Sequence, residues 1–249
     1  MPDRTPDLTG RHVLIPGGTG GVGEGAVRAY LAAGADVVVP TRSQQRSDEF
    51  LAVLGAAATS RLHLVVHDYL TFAGAESLAV TMESRLGSID DVVAPIGGWW
   101  AGKRLWEIDE SDWQRAFVGL ATAHMALLRA ALPRMKADGA YSVIVGASAF
   151  TPVPSSGLVS MEQAALLMMQ QVLAAELDGA RRVFVLQLGP VRTRFTAAGE
   201  AAQADWVSAA QIGAVAVAAS AAPGVAGQAL RLLTRSEAAG ALRSLARTR

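Results

Sequence analysis

Residues 12 to 25 read HVLIPGGTGGVGEG, an apolar run followed by glycines at 17, 21 and 23. Positions without side chains let a backbone turn sharply and come close to a bound group. A helix starting near Val22 offers unpaired N–H groups and the positive end of its dipole at the same place. That combination suits a pyrophosphate, with Gly17, Thr19, Gly21, Val22 and Gly23 forming the cradle. Other side chains suited to chemistry are few. There is no Cys, which removes disulfides, thiolate metal sites and a thiol nucleophile together, and the four His are scattered, so no metal site is expected. Ser148 stands in GASAF at the end of an apolar run. Trp99 and Trp100 follow a Gly97-Gly98 pair. Two readings of them are open: aromatic faces that stack on a flat substrate, or a hydrophobic lid or subunit contact.

These residues need a frame, and the apolar pattern supplies one. Short runs rich in β-branched residues occur at 12–15, 36–39, 62–66, 91–94, 142–145, 183–188 and 229–233. Between them apolar positions recur at helical spacing, as in Val22, Ala26, Val27, Tyr30 and Leu31. The runs are continuous instead of alternating, so both faces of the sheet should be covered. The expected fold is α/β, a doubly wound seven-stranded parallel sheet of Rossmann-like type in a single domain. Positive and negative side chains balance at 22 each, so no broad basic field exists to attract nucleic acid or an anionic membrane. The first ten residues, MPDRTPDLTG, have no apolar core of the kind a signal peptide needs. The longest apolar stretches, near the C-terminus, are dominated by Ala, Gly and Pro. A cytoplasmic protein without a membrane span is the expectation, with residues 1–8 a polar leader, 8–234 the domain and 235–249 a basic tail.

The ordered series of motifs resembles the short-chain dehydrogenase/reductase family over roughly residues 8 to 234. After the glycine turn, Asp68 falls where that family places an Asp against the adenine. IDDVVAPIGG falls at its Asn-Asn-Ala-Gly strand end, and LGPVRT (188–193) resembles the Pro-Gly-x-Val-x-Thr segment that holds the nicotinamide, implying roles for Gly189, Val191 and Thr193. GVAGQALRLL resembles the family's last strand. At the end of the second run, VVVPTRS, Thr41 takes the place of an acidic residue, with Arg42 and Ser43 after it. An acidic side chain there would repel a ribose 2′-phosphate and an Arg favours it, so NADP(H) is the implied cofactor. In the family the long helices expected at 110–135 and 157–177 make dimer and tetramer contacts, so a homodimer or homotetramer is implied.

The same resemblance shows what is missing. The family's Tyr-x-x-x-Lys pair aligns with Val159 and Gln163, and its helix Asn with Leu120. No register shift restores the pair, since the tyrosines are Tyr30, Tyr69 and Tyr141 and the lysines Lys103 and Lys136. Pro16, Ala94 and Pro95 also replace polar residues of the pattern. Ser148, or Ala149 in a stricter alignment, is at the family's catalytic serine. Gln163 keeps hydrogen-bonding capacity for ribose hydroxyls. Trp99, Trp100, Leu120 and Val159 are the expected substrate pocket. His124 is expected as a packed or interface histidine, Glu162 points away from the direction of Val159 and Gln163, Lys103 is a further charge on the tryptophan loop, and Ser155 and Ser156 cap the helix. Residues 195–207, with Phe195 and Trp206, lie where the family has a mobile lid.

Three functions fit a small-molecule substrate. One is an NADPH-dependent reductase of an already activated C=N or C=C/C=O group, with Ser148 or water supplying the proton. The second is a non-redox cyclase or isomerase in a remodelled apolar pocket, and the third a nucleotide-binding protein without catalysis.

Overall fold

A computed structural model describes residues 5–196 and 205–247. Seven parallel strands form one sheet in the order β3-β2-β1-β4-β5-β6-β9. They are β1 His12–Leu14, β2 Asp36–Thr41, β3 Leu62–Val66, β4 Asp91–Ala94, β5 Ala140–Gly146, β6 Arg182–Leu188 and β9 Ala229–Leu232. All seven expected strands are present. A short parallel ladder, β7 Val191–Arg192 with β8 Val207–Ser208, was not foreseen from the sequence. β2 runs through Pro40, which ended the expected strand at 39. β1 pairs with β2 only as far as Leu14 against Val38, so the missing Pro N–H lies beyond that ladder.

Side-chain alternation splits each strand between two cores. Val13, Ile15, Val37 and Val39 face helices α1 (Gly21–Ala32) and α7 (Ala209–Ser220), together with Phe184 and Leu186. Leu14, Val38, Val92, Val143 and Val145 face the other layer. That layer contains α3 (Phe72–Leu86), α5 (Gly119–Ala131) and α6 (Gly157–Leu177). Helix α2 (Gln44–Leu54) follows β2, and α4 (Glu110–Trp113) runs through a π turn, Gln114–Val118, into α5. Residues 235–246, within the expected basic tail, form α8 (Arg235–Ala246). Thr234 caps it, and Ala238 and Leu245 on one face of it are buried, so the charged residues are the outer face of an amphipathic helix.

By length and composition alone, the helical stretches Glu110–Arg134 and Gly157–Leu177 could cross a membrane. Both pack on the sheet through Leu127, Leu166 and Leu173. Met161, Met168 and Val172 on α6 and Met125 on α5 remain exposed and apolar.

Helices α1 and α7 meet backbone to backbone. A Cβ on Gly25 would stand 2.1 Å from the Ala209 carbonyl oxygen, and one on Gly213 2.2 Å from that of Gly25. Since neither neighbour is a flexible side-chain tip, a larger residue must push the helices apart, at a cost of about 1–3 kcal/mol or more. Gly213→Val is therefore expected to lower the urea midpoint markedly, whereas Gly240→Ala, where space is open, should leave it in place or raise it.

Candidate functional site

The carboxyl ends of β1 and β4 diverge at the point where the strand order reverses, and a cleft of about 640 Å³ opens there. Its floor is the turn from β1 into α1. Gly17 adopts φ 81°, and a Cβ on it would lie 2.4 Å from the Pro95 carbonyl oxygen at the end of β4. Gly20 donates to the Gly17 carbonyl at 2.9 Å and precedes the first turn of α1. Gly17, Thr19 and Gly20 line the cleft. The other motif glycines act by close packing: a Cβ on Gly23 would meet the Gly17 carbonyl oxygen at 2.2 Å, and one on Gly21 would meet Thr193 at 2.7 Å. The Val22 side chain packs on the core, which leaves its backbone at the start of α1 as the part that could meet a ligand.

The rim at β2 is cationic. Arg42 and Arg46 line the cleft. Thr41 is buried, its hydroxyl shared with Ser47 Oγ at 2.7 Å, and Ser43 Oγ accepts from the Arg46 N–H as the cap of α2. These two hydroxyls thus order the turn that presents the arginines. Arg46 was missed in the sequence, although a capping Ser43 implies that a residue three positions on returns to the same helix end. Asp68 also departs from expectation. Its carboxylate accepts from the Leu70 N–H at 3.0 Å and borders an adjoining groove, while Tyr69 and Leu70 form the cleft wall.

Opposite lie Pro95, Ile96 and Gly97, with Gly119, Leu120 and Arg115 from the helix that the π turn interrupts. Leu120 is where the substrate-pocket reading placed it, but Trp99 and Trp100 line none of this cleft and Trp99 is 69% exposed. Their loop reaches sideways toward the start of α6. Gly102 donates to the Ser155 carbonyl at 2.9 Å, and the Leu105 side chain packs where a Cβ of Gly157 would be. Lys103 is held by Asp109 at 2.7 Å and by Asp112, so its charge is neutralised on the loop. Ser155 has a left-handed φ of 62°, and neither it nor Ser156 caps α6 with its side chain.

The LGPVRT segment folds back onto the glycine turn. Thr193 abuts Gly21, Arg194 donates to the Thr19 carbonyl at 3.0 Å and pairs with Glu24, and Val191 packs on the core. Gly189 lies under the end of β9, where a Cβ would meet the Leu233 carbonyl oxygen at 2.2 Å, so it serves packing. Residues 197–204 of the expected lid lie outside the described residues; Phe195 is exposed, with Arg194 over its ring at 4.2 Å.

A model of the family described as "Enoyl-(Acyl carrier protein) reductase" matches residues 17–241. The chain belongs to the short-chain dehydrogenase/reductase family. It is similar to "Dehydrogenase/reductase SDR family member 4" of Mus musculus, 30% identical over 201 residues, covering 78% of this chain and 70% of the relative. The Bos taurus protein of that name is 30% identical over 204 residues, covering 79% and 71%. Among solved structures, a "Short-chain dehydrogenase/reductase SDR:Glucose/ribitol dehydrogenase" from Brucella melitensis has a TM-score of 0.80 at 22% identity, covering 92% of this chain and 98% of that one. A "Short chain dehydrogenase" from Burkholderia cenocepacia, solved in complex with NADP, has a TM-score of 0.78 at 20% identity, covering 91% and 97%. The protein is thus of short-chain dehydrogenase/reductase type and shares that family's fold.

Beside the cleft of this short-chain dehydrogenase/reductase, Ser148 sits in a single turn, Ala147–Ala149, after β5. Val159 is buried, and Gln163 turns to the protein: its Oε1 accepts from the Gly146 N–H at 2.5 Å and its Nε2 donates to Glu162 Oε2 at 2.5 Å. Ser148, Val159 and Gln163 are not among the residues that line this cleft, and the Gln163 amide is spent on Gly146 and Glu162. No tyrosine accompanies a lysine there. Tyr30 and Tyr141 are buried in the two cores, Tyr69 is on the cleft wall, and Lys136 pairs with Asp90 at 2.6 Å.

The structure adds a pair that the sequence did not disclose. Glu162 and His124 are both 0% exposed and approach to 3.8 Å. His124 Nε2 donates to the Ile96 carbonyl at 3.0 Å, leaving Nδ1 without a partner, and Glu162 Oε1 also has none. Burial disfavours charge on either group, so the carboxyl is pushed up to about 7 and the imidazole down to about 4. Glu162 keeps its proton in the folded state, so its contribution falls as pH rises from 4.5 to about 7. His124 stays neutral in the folded state, so its contribution grows between about 4 and 6.5. Each amounts to about 3 kcal/mol. In the shared window both states hold one proton, on Glu162 when folded and on the imidazole when unfolded, so the two slopes cancel. Glu162→Gln is expected to unmask the imidazole, with stability climbing by about 3 kcal/mol from pH 4 to 6.5 in urea titrations. His124→Gln should show the opposite slope. Parallel wild-type and variant curves would show that the pair does not titrate this way.

Proposed function

We propose that the protein is an NADP(H)-binding oxidoreductase that reduces an already activated C=N or conjugated C=C/C=O substrate without the family's Tyr and Lys. The supporting observation is the union, in one cleft, of the Gly17–Gly20 turn with Arg42 and Arg46. The cradle fits the group. A Cβ at Gly17 would collide with the Pro95 carbonyl oxygen at the end of β4, α1 begins at the edge of the cleft, and the β2 rim offers guanidinium groups with no carboxylate among the cleft-lining residues. In this reading Gly17, Thr19 and Gly20 would hold the pyrophosphate and Arg42 and Arg46 the 2′-phosphate. When bound, the reduced nicotinamide supplies a hydride. The chain's own residues orient the cofactor and keep water from the apolar side at Pro95, Ile96 and Leu120. Val159 at the Tyr position offers no proton, so an acceptor that needs little protonation suits the site. A nucleotide-binding protein without catalysis is the second reading, favoured by the placement of Ser148, Val159 and Gln163 outside the open cleft.

Energy transfer from tryptophan to reduced nicotinamide measures binding. Arg42→Ala is expected to weaken NADPH about tenfold or more and NADH little, because only NADPH carries the extra phosphate. Equal losses for both would reject the phosphate assignment. NADPH consumption with imines or enones, and not with simple ketones, supports the reductase, and none with any acceptor supports the second reading.

The uncovered apolar face of α6 supports a homodimer or homotetramer. Met168→Glu, which puts charge at the middle of that face, should shift the sedimentation coefficient toward monomer while leaving the unfolding transition intact.

A further inference from the structure

Close packing fixes the base of the glycine turn, where a Cβ on Gly17 or Gly23 would stand within 2.4 Å of a backbone oxygen. The tip is looser: a Cβ on Gly20 would come to 3.2 Å from the Gly17 carbonyl oxygen. Gly20 is the N-cap of α1, and its carbonyl accepts the first helical bond, from Glu24 at 2.8 Å. The Thr19 carbonyl lies outside that ladder and accepts from Arg194 at 3.0 Å. The same peptide unit carries the Gly20 N–H, which donates to the Gly17 carbonyl at 2.9 Å. Arg194 and Gly17 thus hold the unit from its two ends. A carbonyl oxygen is the negative end of a peptide dipole, so one left loose beside an anion site works against the helix N-terminus, and a guanidinium bound to it both steadies and offsets it.

Arg194 is itself held. Its second nitrogen pairs with Glu24 in the first turn of α1, and its guanidinium lies 4.2 Å from the centre of the Phe195 ring. The backbone from which it reaches is a turn closed by a hydroxyl: Thr196 Oγ1 accepts from the Thr193 N–H at 2.9 Å and donates to the Val191 carbonyl at 3.2 Å. Glu24 continues the chain. Its other oxygen accepts from Arg28 Nε at 2.8 Å, and Arg28 donates to the Val53 and Leu54 carbonyls at the end of α2, at 2.7 and 3.2 Å. Two guanidinium groups therefore flank one carboxylate, and the cluster is cationic. Without Arg194, the Thr19 carbonyl would lose this donor and the Glu24 charge would be half uncovered beside the cradle. Arg194 is not among the residues lining the cleft, so its influence passes through Thr19, which is.

We propose that Arg194 is a positioning residue for the dinucleotide: by gripping Thr19 it fixes the tip of the phosphate cradle, and through Glu24 it ties the LGPVRT segment to α1. The inference deepens the cofactor reading of the cleft, on which it rests. It makes one segment serve both ends of the cofactor, since the stretch that carries Thr193 also fastens the turn assigned to the pyrophosphate. An ion pair this near water adds little to global stability, so losing the grip is a local event.

The test compares Arg194→Gln, which removes the cation, with Arg194→Lys, which keeps one. By energy transfer from tryptophan, Arg194→Gln should weaken NADPH and NADH alike, about tenfold each, and Arg194→Lys should recover most of that loss. Arg42→Ala, by contrast, discriminates between the two dinucleotides. With an acceptor that is turned over, KM for the cofactor should rise in Arg194→Gln while kcat is unchanged. In the full chain without cofactor, amide exchange at Gly20 should quicken about tenfold in Arg194→Gln, and exchange within β1 should stay as it was, which separates a loosened turn from a weakened fold. Unchanged affinity in Arg194→Gln, a loss confined to NADPH, equal losses in the two variants, or a Gly20 amide that does not respond would overturn the proposal. Arg194→Met, which keeps the packing of the stem, takes the place of Arg194→Gln should that variant not fold, with the same expectations. If the wild type bound neither dinucleotide, the cofactor reading would fail, and exchange at Gly20 would still report whether Arg194 holds the turn, so the two failures are distinguishable.

Discussion

The cleft depends on one close approach of backbone to backbone. The first turn lies so near the end of β4 that a Cβ on Gly17 would stand 2.4 Å from the Pro95 carbonyl oxygen, and one on Gly23 2.2 Å from the Gly17 carbonyl oxygen. Any side chain larger than hydrogen would lift the turn off the sheet and move the start of α1 with it. The same economy recurs on the far side of α1, where Gly25 and Gly213 let α7 press against it. The helix is therefore clamped between the sheet turn and a second helix by contacts that tolerate no Cβ. A phosphate-binding helix end is useful only if its N–H groups are held in place before the ligand arrives, and the clamp does that holding.

Two electrostatic regimes sit on either side of Ile96. Toward β2 the cleft is open and cationic, with Arg42 and Arg46 near water, where a guanidinium can meet an anion at little desolvation cost. Toward α5 and α6 the polar groups are enclosed and neutral, His124 donating to the same Ile96 whose flank lines the cleft. A charge placed on the first side is screened, and a charge placed on the second is expensive.

The sheet was legible because a parallel strand covered on both faces is a continuous apolar run, and each of the seven runs became a strand. The glycine turn and its neighbour Thr193 were legible for a related reason, since residue types that permit close backbone approach announce themselves. What escaped was direction. The sequence places Trp99 and Trp100 after β4, but where that loop turns depends on Gly102 meeting Ser155 and Leu105 meeting Gly157, contacts between segments some fifty residues apart. Thr41 and Asp68 stand near the expected positions, yet local hydrogen bonds to Ser47 and Leu70 consume their polar atoms. Glu162 was read as pointing elsewhere than Gln163, which holds for the helix, and the partner in that other direction, His124, could be known only once α5 lay beside α6.

Those failures share a cause that bears on how such a site changes. Val159 and Gln163, on α6 beside the end of β5, are uncharged side chains, so neither supplies a field that would favour a charged neighbour. Glu162, between them on the helix, lies in an apolar enclosure, where it is most stable as an acid. In that state it is a hydrogen-bonding brace for Gln163, and through it for Gly146. A positively charged lysine at 163 would instead draw Glu162 into an ion pair, pulling the side chain away from the Gly146 N–H. The neutral brace and the uncharged residue at 163 support each other: the amide that satisfies Gly146 has Glu162 as its acceptor, and the buried carboxyl has a neighbour that adds no charge.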